Sequence, residues 1–443
     1  MFNLNTERKP AGASSLSLRR TRWLFFSLCC YLLSQGFTIP ILAIGPSWAM
    51  WPTISDFAAG LLVLTFLLNS RHTPAASRAK STIFFILIII CFGSMLSFTW
   101  NLTWVTAEDA KGGSFGIYEI YRLVQFTCIF WVTARIPLTP ERINVLRRII
   151  EVVLIFACAG IVVTYFSIFP PSVLVAHLPQ NPYIAGPWNR YVSYEGLEKI
   201  GWGTIGYNHA YVAAQVFMLI ILKIHLGLSK KVFSDNIFLF MSIFACFLSE
   251  SRTGLLTIIL FAITCWSKKP KYAVLAAMVA LIAGVTTLII KPDTGDSTSA
   301  EASTFERQET LLAAGNTENL SGRDEIWMDR ISFLDEEPMR WFVGSGFGSA
   351  IDSGTNAHML PLQIVLETGL VGLLIFVVLF YKILDYLYKY ETGLKPIFWG
   401  TVALLVSSLT QETFYPVPSM VHFTGFYLCS LAIALQQKFP QTT

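Results

Sequence analysis

The chain has 443 residues, of which 54% are Ala, Val, Ile, Leu, Met, Phe, Trp, Tyr or Cys and 14% are charged; its 29 glycines raise the apolar share to about 61%, against roughly 45–50% apolar and 25% charged in soluble globular proteins. A soluble fold of this length has no interior large enough for that apolar surface, disorder is excluded by the same figures, and a mean hydropathy of +0.56 indicates a chain that crosses a membrane several times. The net charge of +4 is too small and too dispersed for a nucleic-acid surface.

Residues 1–22 are polar and basic, with Arg8, Lys9, Arg19, Arg20 and Arg22, and read as a cytoplasmic tail before an uncleaved first span. A span needs roughly 20 apolar residues, and about twelve segments qualify. They are 23–44, 50–68, 82–105, 115–134, 149–169, 206–226, 235–250, 253–267, 272–290, 359–381, 396–414 and 418–436. The seventh and eighth are short and share the turn Ser249-Glu250-Ser251-Arg252-Thr253-Gly254, so they also read as one re-entrant hairpin. With the N-terminus inside, the inner segments carry 22 Lys and Arg and the outer ones 9, which orients the chain N-in and C-in. The expectation is therefore an all-α, polytopic membrane protein of about twelve helices.

Nine spans would fill 23–290, with an outer loop at 170–205. A large outer loop at 291–357 would precede three more spans in 359–436, and 437–443 would be a second inner tail. In the large loop, Asp293 to Ser303 is a polar run. Ser321 with Asp324 resembles a capping box, and Gly322 to Leu334 reads as a short helix that Glu336-Glu337-Pro338 stops. No internal repeat relates the two halves, which argues against the commonest transporter plan.

All eight cysteines lie in apolar runs without CxxC or Cys/His spacing, so neither a disulfide framework nor a metal centre is expected. Ionisable groups in apolar runs need a reason. Arg122 lies three residues after Glu119, close enough on one helix face to pair with it, or else faces an anionic ligand. Asp56, Glu367 and Glu412 are lone acids near the outer side, suited to caps or helix contacts. Arg252 stands in the outer turn among hydroxyls and a helix start, a place that binds an anion or lets an arginine reach the lipid headgroups. Arg323 opens the loop helix, where a cation opposes the helix dipole. His358 and His209 occupy similar outer mouths, and a histidine there acts as a base or as a structural hydrogen-bonder. Gly344-Ser345-Gly346-Phe347-Gly348 lacks the Lys-Ser/Thr of a phosphate loop and reads as a close-packing turn.

Taken in order, the Ser249–Gly254 turn, Gly322-Arg323 with Ile326-Trp327, Gly344–Gly348, and His358 with Leu366-Glu367-Thr368-Gly369 resemble the bacterial O-antigen ligase and polysaccharide polymerase family. Tyr207-Asn208-His209 and Gln411-Glu412 with Pro416 also look similar. One departure is that Asn356 precedes His358, whereas an asparagine often follows that histidine in the family. The resemblance implies a protein of the bacterial inner membrane with its active site facing the periplasm. It would take an undecaprenyl-pyrophosphate-linked glycan and transfer it to an acceptor hydroxyl without metal, nucleotide or other cofactor. Carried over residue by residue, Arg252 and Arg323 would bind the pyrophosphate and His358 would accept the proton, with inversion at the anomeric carbon. Arg122, His209 and Glu412 are secondary candidates. The acceptor would be a second lipid-linked glycan in a polymerase, which the Tyr207-Asn208-His209 segment favours, or lipid A-core in a ligase. Membrane lipids and a chain-length regulator or flippase are the implied partners. A polysaccharide transporter or lipid flippase is the competing class, and would place its key charges near mid-membrane. Trp188, Tyr191, Tyr194 and Trp202 suit either sugar stacking or interfacial anchoring.

Overall fold

The computed structural model describes residues 21–44, 50–70, 73–104, 113–166, 168–169, 171–179, 201–206, 208–227, 232–266, 323–349, 356–391, 394–416 and 422–436. Within them the chain is helical. The helices are α1 (Arg22–Ser34), α2 (Ile54–Asn69), α3 (Arg78–Trp104), α4 (Gly113–Thr133), α5 (Pro140–Tyr165), α6 (Pro171–Val175), α7 (His209–Gly227), α8 (Val232–Leu248), α9 (Arg252–Trp266), α10 (Arg323–Glu336), α11 (Pro338–Val343), α12 (Leu360–Tyr390), α13 (Pro396–Ser407) and α14 (Phe423–Ala434). The expected ninth span at 272–290, most of both tails, the loop residues Trp188, Tyr191 and Tyr194, and the Ser321 cap lie outside the described residues.

Among the described residues three helices are long and apolar enough to cross a membrane by length and composition: Arg78–Trp100 of α3, α7 and α12. The sequence of α7 is apolar on every side, and every residue from Tyr211 to Gly227 is buried. A helix of that kind has no solvent face to offer and belongs in the middle of a bundle. It packs against α5, α8, α9, α13 and α14. α3 and α12 bury one side only. Phe85, Phe92, Leu96, Val371, Leu374 and Val377 stay exposed on them, an apolar exterior suited to lipid.

Several expected spans prove shorter as helices. The segment 23–44 stops being helical after Ser34. Beyond Gly36, Thr38 N–H donates to Thr204 O at 3.0 Å and Pro40 forms a bridge with Thr53, so the chain leaves the helix to seal a loop. The segments 396–414 and 418–436 likewise contain the short helices α13 and α14. The paired short spans are two helices, α8 and α9, packed on each other and on α7.

The two ends of α7 hold different chemistry. At its C-terminal end Lys223 pairs with Asp235 of α8, and His225 Nδ1 lies 2.9 Å from Glu391. Glu391 also accepts from the N–H groups of Ile397 and Phe398 at 3.0 and 2.8 Å, capping α13. The N-terminal end of α7 begins at His209 and leads to the candidate site.

The loop helix forms as the sequence suggests, as α10, and Pro338 does more than stop it. It occupies the first turn of the next helix, where its fixed φ and missing N–H are tolerated. Trp327, Ile331 and Leu334 fall on one face of α10 and pack with Ala357, Leu362, Val365 and Leu366 in a small apolar cluster separate from the main core. That stripe seats α10 on the start of α12. Asp324, Glu325, Asp329 and Glu336 belong to the rest of the helix.

Candidate active site

The turn before α9 is built from local rules. Glu250 takes a left-handed backbone, φ 59°, and reverses the chain. Ser251 Oγ accepts from Gly254 N–H at 3.0 Å, a side-chain cap for the new helix. Gly254 faces α7 so closely that an added Cβ would collide with the Ala213 side chain. Arg252 is thereby the first residue of α9. Thr253 Oγ1 lies 3.2 Å from Thr410 Oγ1, which ties the turn to the segment following α13.

His209 supports this turn from below. Its Nδ1 lies 2.5 Å from Ser249 O and 3.0 Å from Trp202 Nε1. Trp202 is buried, so of its two expected roles neither sugar stacking nor interfacial anchoring applies.

Arg323 stands at the start of α10, one turn before Trp327 on the same face. Trp327 Nε1 donates to Ala357 O at 2.8 Å and so fixes α10 to the residue before His358. His358 has φ 50°, uncommon for a residue with a Cβ. Leu360 N–H, just beyond it, donates to Ser408 O at 2.8 Å.

These segments converge on Glu412, which is 1% exposed; His358 Nδ1 lies 3.4 Å from its Oε2 while about a third of the imidazole, 35%, stays open. Asn356 Nδ2 and Gln411 Nε2 donate to Glu412 Oε1 at 3.3 and 3.4 Å. The displaced asparagine of the sequence thus shares the carboxylate with His358. Arg323 is within electrostatic reach of both Glu412 and Arg252. Burial pushes its guanidinium below the ordinary arginine value, Glu412 opposes that, and Arg252 adds to it. Four residues singled out in the sequence, Arg252, Arg323, His358 and Glu412, therefore meet at one place. Arg323 is thus within electrostatic reach of Arg252 and Glu412, and His358 lies beside Glu412, so guanidinium, imidazole and carboxylate groups share one region where two helix N-termini add positive potential.

Arg122 belongs elsewhere. Its Nη1 pairs with Asp56 at 2.7 Å, its Nε donates to Tyr118 OH at 2.7 Å, and it contacts His422 Nε2 closely. Asp56 also accepts from Thr53 N–H at 2.9 Å, in a capping box at the start of α2. Among the described residues the ion pair of Arg122 is with Asp56, not with Glu119 of its own helix. Asp56 is held by its cap on α2 and meets Arg122 where α2 packs on α4. The pair joins α2, α4 and the start of α14.

Gly344–Gly348 is the close-packing turn expected. Ser345 N–H and Gly346 N–H donate to the carbonyls of Leu366 and Glu367 at 2.7 and 3.2 Å. Gly348 N–H donates to the Glu367 carboxylate at 3.0 Å. Sequence inspection missed Gln363, whose side chain links Ala357 to Glu367. The i,i+4 spacing of Gln363 and Glu367 was the available signal.

Fold and site together define an all-helical membrane protein with a cationic, histidine-bearing cluster at one end of its bundle. Residues 237–377, about a third of the chain, match the family model described as O-antigen ligase, which supports membership of this chain in the O-antigen ligase family. The matched stretch contains Arg252, Arg323 and His358 and ends before Glu412. No curated protein matches the chain. The matched stretch and the apolar helices fit a membrane protein of polysaccharide biosynthesis.

Proposed function

We propose that this protein transfers a glycan from undecaprenyl pyrophosphate to an acceptor hydroxyl at the periplasmic face of the inner membrane. The observation that carries the proposal is the meeting of Arg252 and Arg323 with His358 and Glu412. Guanidinium forks match phosphate oxygens, so the two arginines bind the pyrophosphate. As the anomeric C–O bond breaks, the electron pair passes to the pyrophosphate. Fixed positive groups stabilise that charge without reorganising. His358 Nε2, on the ring edge away from Glu412, takes the proton of the attacking hydroxyl. Glu412 orients the ring and stabilises the imidazolium that forms. Attack opposite the leaving pyrophosphate inverts the anomeric centre.

In the first reading the acceptor is a second lipid-linked glycan and the protein is a polymerase. The family description favours a second reading, a ligase that passes finished glycan to lipid A-core. Reconstitution in liposomes separates them. The labelled undecaprenyl-pyrophosphate oligosaccharide is supplied alone, and product length is read on a gel. A ladder identifies a polymerase, whereas a ligase gives product only after lipid A-core is added. His358→Ala is expected to lower turnover by roughly 10²–10⁴-fold in either case. Unchanged turnover in that variant removes His358 as the base. Silence with both acceptors defeats the transferase and brings forward a transporter.

A further inference from the structure

His358 must keep a left-handed backbone, and such a conformation persists only when its surroundings hold it. Four hydrogen bonds hold the segment. Trp327 Nε1 donates to Ala357 O at 2.8 Å, and Leu360 N–H donates to Ser408 O at 2.8 Å. Asn356 Nδ2 donates to Glu412 Oε1 at 3.3 Å. Ala357 N–H donates to Gln363 Oε1 at 2.9 Å. The last depends on a carboxamide, whose oxygen and nitrogen exchange places by a simple flip. After such a flip an NH₂ group would face Ala357 N–H, donor against donor.

Glu367 prevents the flip. Its Oε1 accepts from Gln363 Nε2 at 2.9 Å, which turns the amide oxygen towards Ala357. Its Oε2 accepts from Tyr415 OH at 2.6 Å and from Gly348 N–H at 3.0 Å. The side chain is 0% exposed, and the three donors turned to it favour the carboxylate, which can only accept. The direction of the whole chain of bonds is therefore fixed, from Tyr415 and Gly348 through Glu367 and Gln363 to the peptide before His358.

We infer that Gln363 and Glu367 are positioning residues for His358. They set the Ala357 peptide, and through it the aim of the imidazole, without touching either substrate. The inference rests on the role given to His358 above. Misaiming a catalytic group by about 1 Å lowers turnover on the order of 100-fold, while binding determined elsewhere is untouched.

The test uses the full chain in liposomes and reads turnover at saturating donor, donor KM and melting temperature. In Glu367→Gln one acceptor oxygen becomes an NH₂ that opposes either Gln363 or the Gly348–Tyr415 pair. Turnover is expected to fall on the order of 100-fold with donor KM unchanged. Gln363→Glu sets two carboxylates against each other and falls as well. The exchange Gln363→Glu with Glu367→Gln restores every bond. The carboxylate at 363 accepts from Ala357 N–H and from the new amide, whose oxygen accepts from Gly348 and Tyr415. The double variant is expected to regain most of the lost turnover. Wild-type turnover in Glu367→Gln overturns the inference, as does a double variant no better than the singles in turnover or in yield of folded protein. Wild-type protein and His358→Ala run alongside. Lack of transfer by the wild type defeats the functional reading instead, whereas a fully active Glu367→Gln beside an inactive His358→Ala defeats only the positioning role.

Discussion

At the scale of single residues, the two kinds of arginine in this chain show what decides between a structural and a chemical role. Arg122 is 2% exposed and meets the Asp56 carboxylate at 2.7 Å. Arg323 lies within electrostatic reach of Arg252 and of one carboxylate, Glu412. A buried ion pair adds little over an apolar pair of the same volume, yet removing one partner leaves a buried charge and costs about 3–5 kcal/mol. Asp56→Ala is therefore expected to lower stability by about that amount, seen as a drop in melting temperature in detergent. Asp56→Leu combined with Arg122→Met is expected to recover most of it and to keep turnover. A stable double variant without turnover would return Arg122 to the substrate site. The sequence showed Arg122 beside Glu119 because helix spacing is visible in a string of letters. Its true partner is 66 residues away and depends on how α2 and α4 pack.

At the scale of elements, the break in α12 makes the candidate site possible. Gly369 has φ 68°, and an added Cβ there would run into the Phe342 backbone at the end of α11. The carbonyls of Leu366 and Glu367, released by the break, are taken up by Ser345, Gly346 and Ser97. This docking brings Gly348 to Glu367 and seats α11 beside α12. Gly369→Ala combines a positive-φ, extended backbone that is essentially confined to glycine, unfavourable by about 1–3 kcal/mol, with a collision against backbone that cannot rotate away. It is expected to release α11, seen as faster protease cleavage within residues 338–349 and as lost turnover. Gly93→Ala in α3 is the control, since nothing lies within 4 Å of a Cβ there. Equal cleavage in the two variants would deny the break this role. The glycine motif was legible as a close-packing turn. Its partner, the Glu367–Gly369 segment inside a long apolar helix, was not, because a single glycine in such a run gives no sign of a positive φ.

At the scale of the whole molecule, composition announced a helical membrane protein, and the ordered motifs around Arg252, Arg323 and His358 raised the expectation of one site. Helix ends were less legible. Apolar runs such as 23–44 continue past Ser34 into a stretch that is not helical, mostly buried as far as Pro40 and exposed from Ile41 to Ile44, and hydropathy does not distinguish such turns from spans. Charge placement across the bundle carries the remaining expectation. Lys223, His225 and Glu391 gather at one end of α7, and His209, beneath the Arg252 turn, stands at the other. The excess of Lys and Arg in the segments read as inner would put the first end in the cytoplasm, and the proposed outer-leaflet donor would then reach only the second. Single cysteines test this directly. Asp329 on α10 is 74% exposed and Lys389 at the end of α12 is 61% exposed, whereas Cys29, Cys30, Cys91, Cys128, Cys158, Cys246 and Cys429 are buried or half-buried. A membrane-impermeant maleimide is expected to label Asp329→Cys in intact spheroplasts and Lys389→Cys only after lysis. The reverse pattern would turn the bundle over, place Arg252, Arg323 and His358 on the cytoplasmic side, and remove the outer-leaflet donor from the mechanism.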